Sequence, residues 1–256
     1  MSTITRETLV TALVQALQPQ TWVNAAWIGG SAAYGPPDRY ADLDLQLDVD
    51  DARVDDTFAL VERTLEALSP IEDRLIIPTP TWHGHAQRFY RLRDAGEYLL
   101  VDLVVMQRTT TAPRFDEREI HGELIVLFDK VSALVPPKLD QGAHREKIRQ
   151  RIARIASRRM FQVLPKKEIL RGHPIDAMYF FHGFTLAPLV DLLRIEHCPQ
   201  RFDFAMRYLD RDLPKEVVER LQPLFFAADL EDLERKRVEA ERWLEEQLAK
   251  MRAAYR

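Results

Sequence analysis

Cysteine is almost missing from this chain: Cys198 is the only one among 256 residues. No intramolecular disulfide can form, and no cysteine-based zinc site can be assembled. No apolar run approaches the ~20 residues needed to span a bilayer. Met1 to Leu17 carry Arg6 and Glu7 inside an amphipathic pattern and lack the apolar core of a signal peptide. These absences lead to the expectation of a soluble, cytoplasmic protein. Low-complexity tracts are absent and apolar content is ordinary, so no disorder is expected beyond the first and last few residues. Neither a Walker loop nor a dinucleotide fingerprint occurs. No Gly-x-Ser-x-Gly elbow surrounds Ser31, which excludes it as a hydrolase nucleophile. His83 and His85 have no third ligand at a recognisable spacing, so no zinc site is expected there.

Net charge is small, −4, but unevenly divided. Residues 1–140 hold 13 Lys/Arg against 22 Asp/Glu, a net −9; residues 141–256 hold 23 against 18, a net +5. An acidic half followed by a basic half suits a metal site facing a phosphate-binding surface. It does not suit a strongly basic nucleic-acid binder, and nucleic acid is not an expected partner.

The apolar periodicity predicts a helix over Ile4–Leu17, ended by Pro19. A buried strand is predicted over Thr21–Ile28. Gly29-Gly30-Ser31 follows, with Ser31 as N-cap of a short helix. Asp42 to Val49 alternates without a fault: Asp42, Asp44, Gln46 and Asp48 leave one face, and Leu43, Leu45, Leu47 and Val49 the other. A helix is predicted over Asp55–Leu68, a hairpin over Gln87–Arg93 and Glu97–Met106, and a further strand over Glu123–Phe128. After Pro136-Pro137 the pattern becomes helical, with helices over His144–Leu164, Asp176–Arg194, Pro214–Phe226 and Asp229–Met251. The fold class is therefore α+β: a domain of strands and helices over residues 1–140, then an α-helical bundle over residues 141–256.

Three features carry chemistry. Asp42 and Asp44, two apart on a strand, send both carboxylates from one face, a geometry that can hold two hard divalent cations. A polar edge strand is the alternative reading. Asp102 lies in Leu99-Leu100-Val101-Asp102-Leu103-Val104-Val105, apolar on both faces, where an unpaired carboxylate costs several kcal/mol or protonates. A metal ion relieves that cost, and so does a structural ion pair with an Arg. The glycine pair lets backbone approach an anion closely, and the helix start after it turns free N–H groups toward that anion.

The combination resembles the signature of the DNA polymerase β-like nucleotidyltransferases. It runs Trp27-Ile28-Gly29-Gly30-Ser31-Ala32-Ala33-Tyr34-Gly35, then Tyr40-Ala41-Asp42-Leu43-Asp44-Leu45, with Asp102 in the place of the third acid. Ala41 stands where the family often has Ser or Thr. The helical half is more loosely similar to the C-terminal domains of small-molecule adenylyltransferases of the aminoglycoside and lincosamide type.

That resemblance implies that the sheet of the first domain is mixed. It also implies transfer of a nucleoside monophosphate from an NTP, ATP first, to a hydroxyl of a small-molecule acceptor, with release of pyrophosphate. Asp42, Asp44 and Asp102 would be the catalytic acids and would bind two Mg²⁺ ions. Gly29, Gly30 and Ser31 would grip the phosphates, and Lys166, Lys167 and Arg171 would face the triphosphate from the helical half. The proton acceptor stays open between Asp102, Glu168 and Asp176. A regulatory or antitoxin-type relative that binds a protein partner is the alternative function. The acceptor and the oligomeric state are left open.

Overall fold

The computed structural model describes residues 4–30, 38–79, 81–112 and 117–256. The chain forms two compact units, Met1–Leu139 and Asp140–Arg256. The molecule is α+β, with a six-stranded mixed sheet in the first unit and helices making up the second.

The sheet is built from β1 (Val23–Ile28), β2 (Leu43–Val49), β3 (Ile71–Ile76), β4 (Ala86–Leu92), β5 (Leu100–Gln107) and β6 (Ile125–Asp129), in the order β3-β4-β5-β2-β1-β6. β2 and β5 run parallel in the middle; the other pairings are antiparallel. Alternation then decides which face is buried. Leu43, Leu45, Leu47, Val101, Leu103 and Val105 pack against Leu9, Leu13 and Leu17 of α1 (Arg6–Leu17) and Phe58, Val61 and Leu65 of α2 (Val54–Leu68). Each such side chain contributes ~1.5–3 kcal/mol on burial. The intervening residues, Asp44, Gln46, Asp102 and Val104, are left on the opposite face. There Trp27, Ala25 and Met106 form a small second cluster with Leu124 and Leu134. A short helix, α3 (Arg118–His121), precedes β6.

β3 was not expected from the sequence. It pairs only with β4 at the sheet edge, and Glu72, Asp73 and Arg74 in its middle are exposed. Charged, weakly patterned strands belong at edges, where they block further pairing.

In the second unit α4 (Gln141–Ser157), α5 (Val163–Arg171), α6 (Pro174–Phe181), α7 (Ala187–His197), α8 (Leu209–Asp212), α9 (Lys215–Leu221) and α10 (Leu230–Ala254) enclose one core. The single helix expected over His144–Leu164 is instead two. α4 stops at Ser157, a 3₁₀ turn covers Arg159–Gln162, and α5 starts at Val163. Pro165 is the reason. It lacks an N–H and its ring excludes a preceding helical turn, so it sits in the first turn of a new helix rather than after the end of an old one. Gly172, at φ +75°, closes α5 in a left-handed cap. The helix expected over Pro214–Phe226 is shorter, since α9 gives way to a 3₁₀ turn at Gln222–Phe225. Among the described residues no helix is long and apolar enough to cross a membrane.

Candidate active site

Asp44 and Asp102 are register partners on the parallel strands β2 and β5, whose backbones lie about 4.8 Å apart. Asp42 sits one residue before β2 and accepts a hydrogen bond at Oδ1 from the Leu100 N–H, 3.3 Å. All three acids are half-buried. Asp48, which continues the same face, differs from them. It is fully buried and structurally engaged, accepting from Asn24 Nδ2 at 3.0 Å and lying 3.5 Å from Arg108 Nη1.

Burial and crowding raise the proton affinity of Asp44 and Asp102. Burial first, and then the charges of Asp102 and Asp42, push Asp44 up to about 6, against a smaller opposing pull from Arg6. Burial also raises Asp102, offset in part by a hydrogen bond from Gln87 and the nearby His83. Among the described residues no Arg or Lys forms a salt bridge with any of the three. A set of hard carboxylate oxygens, crowded on one face and offset only in part by Arg6 and His83 among the described residues, fits a divalent metal ion.

Gln87 fixes how Asp102 is presented. Its Nε2 donates to Asp102 Oδ1 at 2.8 Å, and its Oε1 lies 3.1 Å from His83 Nε2. The His85 N–H donates to His83 Nδ1 at 3.2 Å, so the proton of a neutral His83 ring sits on Nε2 and points at Gln87. The amide orientation of Gln87 is thereby set at both ends, and Asp102 Oδ2 is the oxygen left for chemistry.

The glycine pair closes the opposite flank. The Gly29 N–H donates to the Asp44 carbonyl at 3.1 Å. Gly30 adopts φ +64°, and a Cβ there would overlap the Asp44 carboxylate. A Cβ on Gly29 would meet Gln46 Nε2 at 2.6 Å. At Gly30 the left-handed backbone favours glycine, and its missing side chain lets the backbone approach the acid. Ser31, with its expected cap and short helix, lies outside the described residues.

Two residues at the site escape sequence reasoning. Arg6 on α1 donates from Nε to the Asp42 carbonyl at 3.1 Å, while its buried Nη2 has no hydrogen-bond partner among the described residues. Gln87 is the other. Neither belongs to a motif, and their roles follow from tertiary placement alone.

In the second unit, Lys166, Lys167 and Arg171 are exposed on α5. Arg171 is engaged with Glu168 at 2.5 Å, and Glu168 also pairs with His173 Nδ1 at 2.9 Å. Those two hydrogen bonds, His173 first, lower the Glu168 carboxyl and hold it ionised. Glu168, His173 and Asp176 place one donor atom each within 4.8 Å of one another, a group with the chemistry to hold a metal ion. Glu168 enters that group already satisfied by two partners.

No family model matches the chain, and no curated protein matches its sequence. Among solved structures it is similar to an aminoglycoside 6-adenyltransferase from Bacillus subtilis, at 11% identity and a TM-score of 0.35, over 96% of this chain and 92% of that one. A likeness that faint assigns neither family nor activity.

Proposed function

We propose that this chain is a metal-dependent nucleotidyltransferase that moves a nucleoside monophosphate from an NTP, ATP first, to a hydroxyl of a small-molecule acceptor. The observation that carries the reading is the pairing of Asp44 with Asp102 on adjacent parallel strands, with Asp42 beside them and a glycine pair against Asp44. The sheet-domain half of the chain, residues 1–140, is assigned the chemistry.

Asp42, Asp44 and Asp102 would hold divalent cations, Mg²⁺ first among them, which when bound neutralise charge on the phosphates and sharpen the nucleophile. The chain's own residues do the rest. Gly30 and Ser31 supply backbone N–H groups to the β- and γ-phosphates, while Gly29, whose N–H is held by the Asp44 carbonyl, shapes the turn that brings them there. Asp102, held by Gln87 at Oδ1, takes the acceptor's hydroxyl proton at Oδ2. The freed oxygen attacks the α-phosphorus, the bond from that phosphorus to the β-phosphate oxygen breaks, and pyrophosphate leaves. Asp102 is preferred to Glu168 as proton acceptor because Arg171 and His173 engage Glu168 and lower its carboxyl, whereas burial raises Asp102. Asp176 retains no such objection. Lys166 and Lys167 are assigned to the triphosphate, with Arg171 less free to join them.

The test is incubation of the chain with each labelled NTP and Mg²⁺ over a panel of hydroxyl-bearing small molecules, reading pyrophosphate release. Transfer from at least one NTP is expected, and Asp42→Ala or Asp44→Ala abolishes it with the fold intact. Full activity in either variant refutes the site.

A further inference from the structure

The strand order puts two different neighbourhoods on either side of the carboxylates. Toward β1 lie Gly29 and Gly30, against Asp44. Toward β4, on the same sheet face, opens a pocket of about 520 Å³. Gln87 on β4 is its hinge to the acids: it lines the pocket and donates to Asp102. Gln46, two residues beyond Asp44 on β2, lines it as well. Displacement at phosphorus is in line, with attacking and leaving oxygens on opposite sides. If pyrophosphate departs toward the glycines, the acceptor must enter from the β4 side.

The lining states what that acceptor is. Among the described residues that form the pocket, none is Asp, Glu, Lys or Arg. Val104 and Met106 supply an apolar floor, and a Met thioether adapts its shape to a ring. Gln46, Thr81, His83 and His85 supply hydrogen-bonding groups. Trp82, at the edge of this space, is 94% exposed and meets the His83 ring edge-on at 5.1 Å. An indole that open adds nothing to the core, yet it offers a flat face on which another ring can stack. The volume lies within the range of small-molecule sites.

We infer that this pocket receives the acceptor, and that the acceptor is a neutral molecule built on a planar aromatic or heteroaromatic ring and bearing the hydroxyl that is modified. The inference rests on the transferase reading for the word acceptor, though not for the pocket's preference. A polyamine or aminoglycoside is the wrong chemistry, because it has no planar ring to lie on the Trp82 indole.

The test measures binding without turnover. Three neutral ring compounds bearing hydroxyls, 4-nitrophenyl β-D-glucoside, 4-methylumbelliferyl β-D-glucoside and uridine, are dialysed to equilibrium against the full chain and against Trp82→Ala. Because Trp82 is exposed, its removal leaves the fold intact. At least one compound is expected to bind, with affinity falling about tenfold or more in Trp82→Ala. It should stay bound when ATP and Mg²⁺ are added, and kanamycin A should not displace it. Binding of none of the three, unchanged affinity in Trp82→Ala, or displacement by kanamycin A overturns the inference. Displacement by ATP also overturns it, since the pocket would then belong to the nucleotide. Pyrophosphate release is measured separately on the same samples. Its absence from every NTP and acceptor tells against the transferase reading whatever the dialysis gives, and its presence with no binding in the pocket tells against the pocket alone.

Discussion

Asp44 carries the heaviest electrostatic load of any acid at the site. Its carboxyl stands near 6 because burial and two neighbouring carboxylates favour the neutral form. A raised carboxyl pKa means the folded protein binds a proton more tightly than the unfolded chain, whose Asp titrates near 4. The metal-free protein should therefore lose stability as pH rises from about 4 through about 6. A melting series of the metal-free protein over that window should show Tm falling, and Asp44→Asn should flatten the fall. A Tm that rises equally in both proteins over that window removes the clustered-charge account. Asp102→Asn is a second residue-scale case. The Asn oxygen can still accept from Gln87, so thermal stability without metal should hold or rise while transfer is lost. Ready unfolding of that variant would make Asp102 a structural residue. Gly30→Ala combines a left-handed backbone with an overlap on the Asp44 carboxylate. It should cost about 1–2 kcal/mol or more in denaturant unfolding.

Elements differ in how plainly the sequence announces them. β2 is legible because Asp42 to Val49 alternates and its apolar partners need a core. The placement of Asp102 between β4 and β2 is legible because a strand apolar on both faces has to be central. β3 is not, since an exposed edge strand needs little patterning. The α6–α7 stretch shows a subtler limit. One helix was expected over Asp176–Arg194, but a π-helical turn at His182–Leu186 divides α6 from α7. Pro188 has no N–H for the carbonyl four residues back, that of Phe184. Gln162 fills the gap, donating to the Phe184 carbonyl at 2.5 Å while accepting from Thr185 Oγ1 at 2.7 Å. No local pattern foretells a side chain from a distant turn completing a helix. Gln162→Leu leaves the carbonyl and the hydroxyl without that partner and should cost about 1–3 kcal/mol by denaturant unfolding; a cost near zero would show that solvent replaces Gln162.

The loop after α7 depends on charge in the same way. Arg194 is fully buried, paired with Asp212 at 2.8 Å, and it donates to the Arg201, Ala205 and Arg207 carbonyls. Burial alone would raise Asp212, yet hydrogen bonds from Arg201, Arg211 and Arg194 hold it at about 2. A depressed carboxyl pKa stabilises the fold above the unfolded value near 4, and that stability is lost as pH falls from about 4 toward 2. Acid unfolding in this window should be blunted in Asp212→Asn, which should also be destabilised by about 3–5 kcal/mol at neutral pH because Arg194 loses its counter-charge. A variant as stable as the parent at neutral pH would contradict the pairing's role.

At the scale of the molecule, the acidic first half and the basic second half divide the labour proposed here: carboxylates for metal, cations for triphosphate. Lys166→Ala combined with Lys167→Ala should raise the KM for NTP about tenfold or more, since each charge-assisted contact contributes ~1.5–3 kcal/mol, and should leave the fold unchanged. An antitoxin-type role predicts unchanged nucleotide affinity and a disturbed protein partner instead. The chain's bare acids bear on the central claim most directly through calorimetric titration of ATP with Mg²⁺ into the full chain and into Asp44→Asn. The account predicts Mg²⁺-dependent binding to the parent and its loss, or a fall of tenfold or more, in the variant. Equal affinity in both proteins, or no binding of any NTP to the parent, would contradict it.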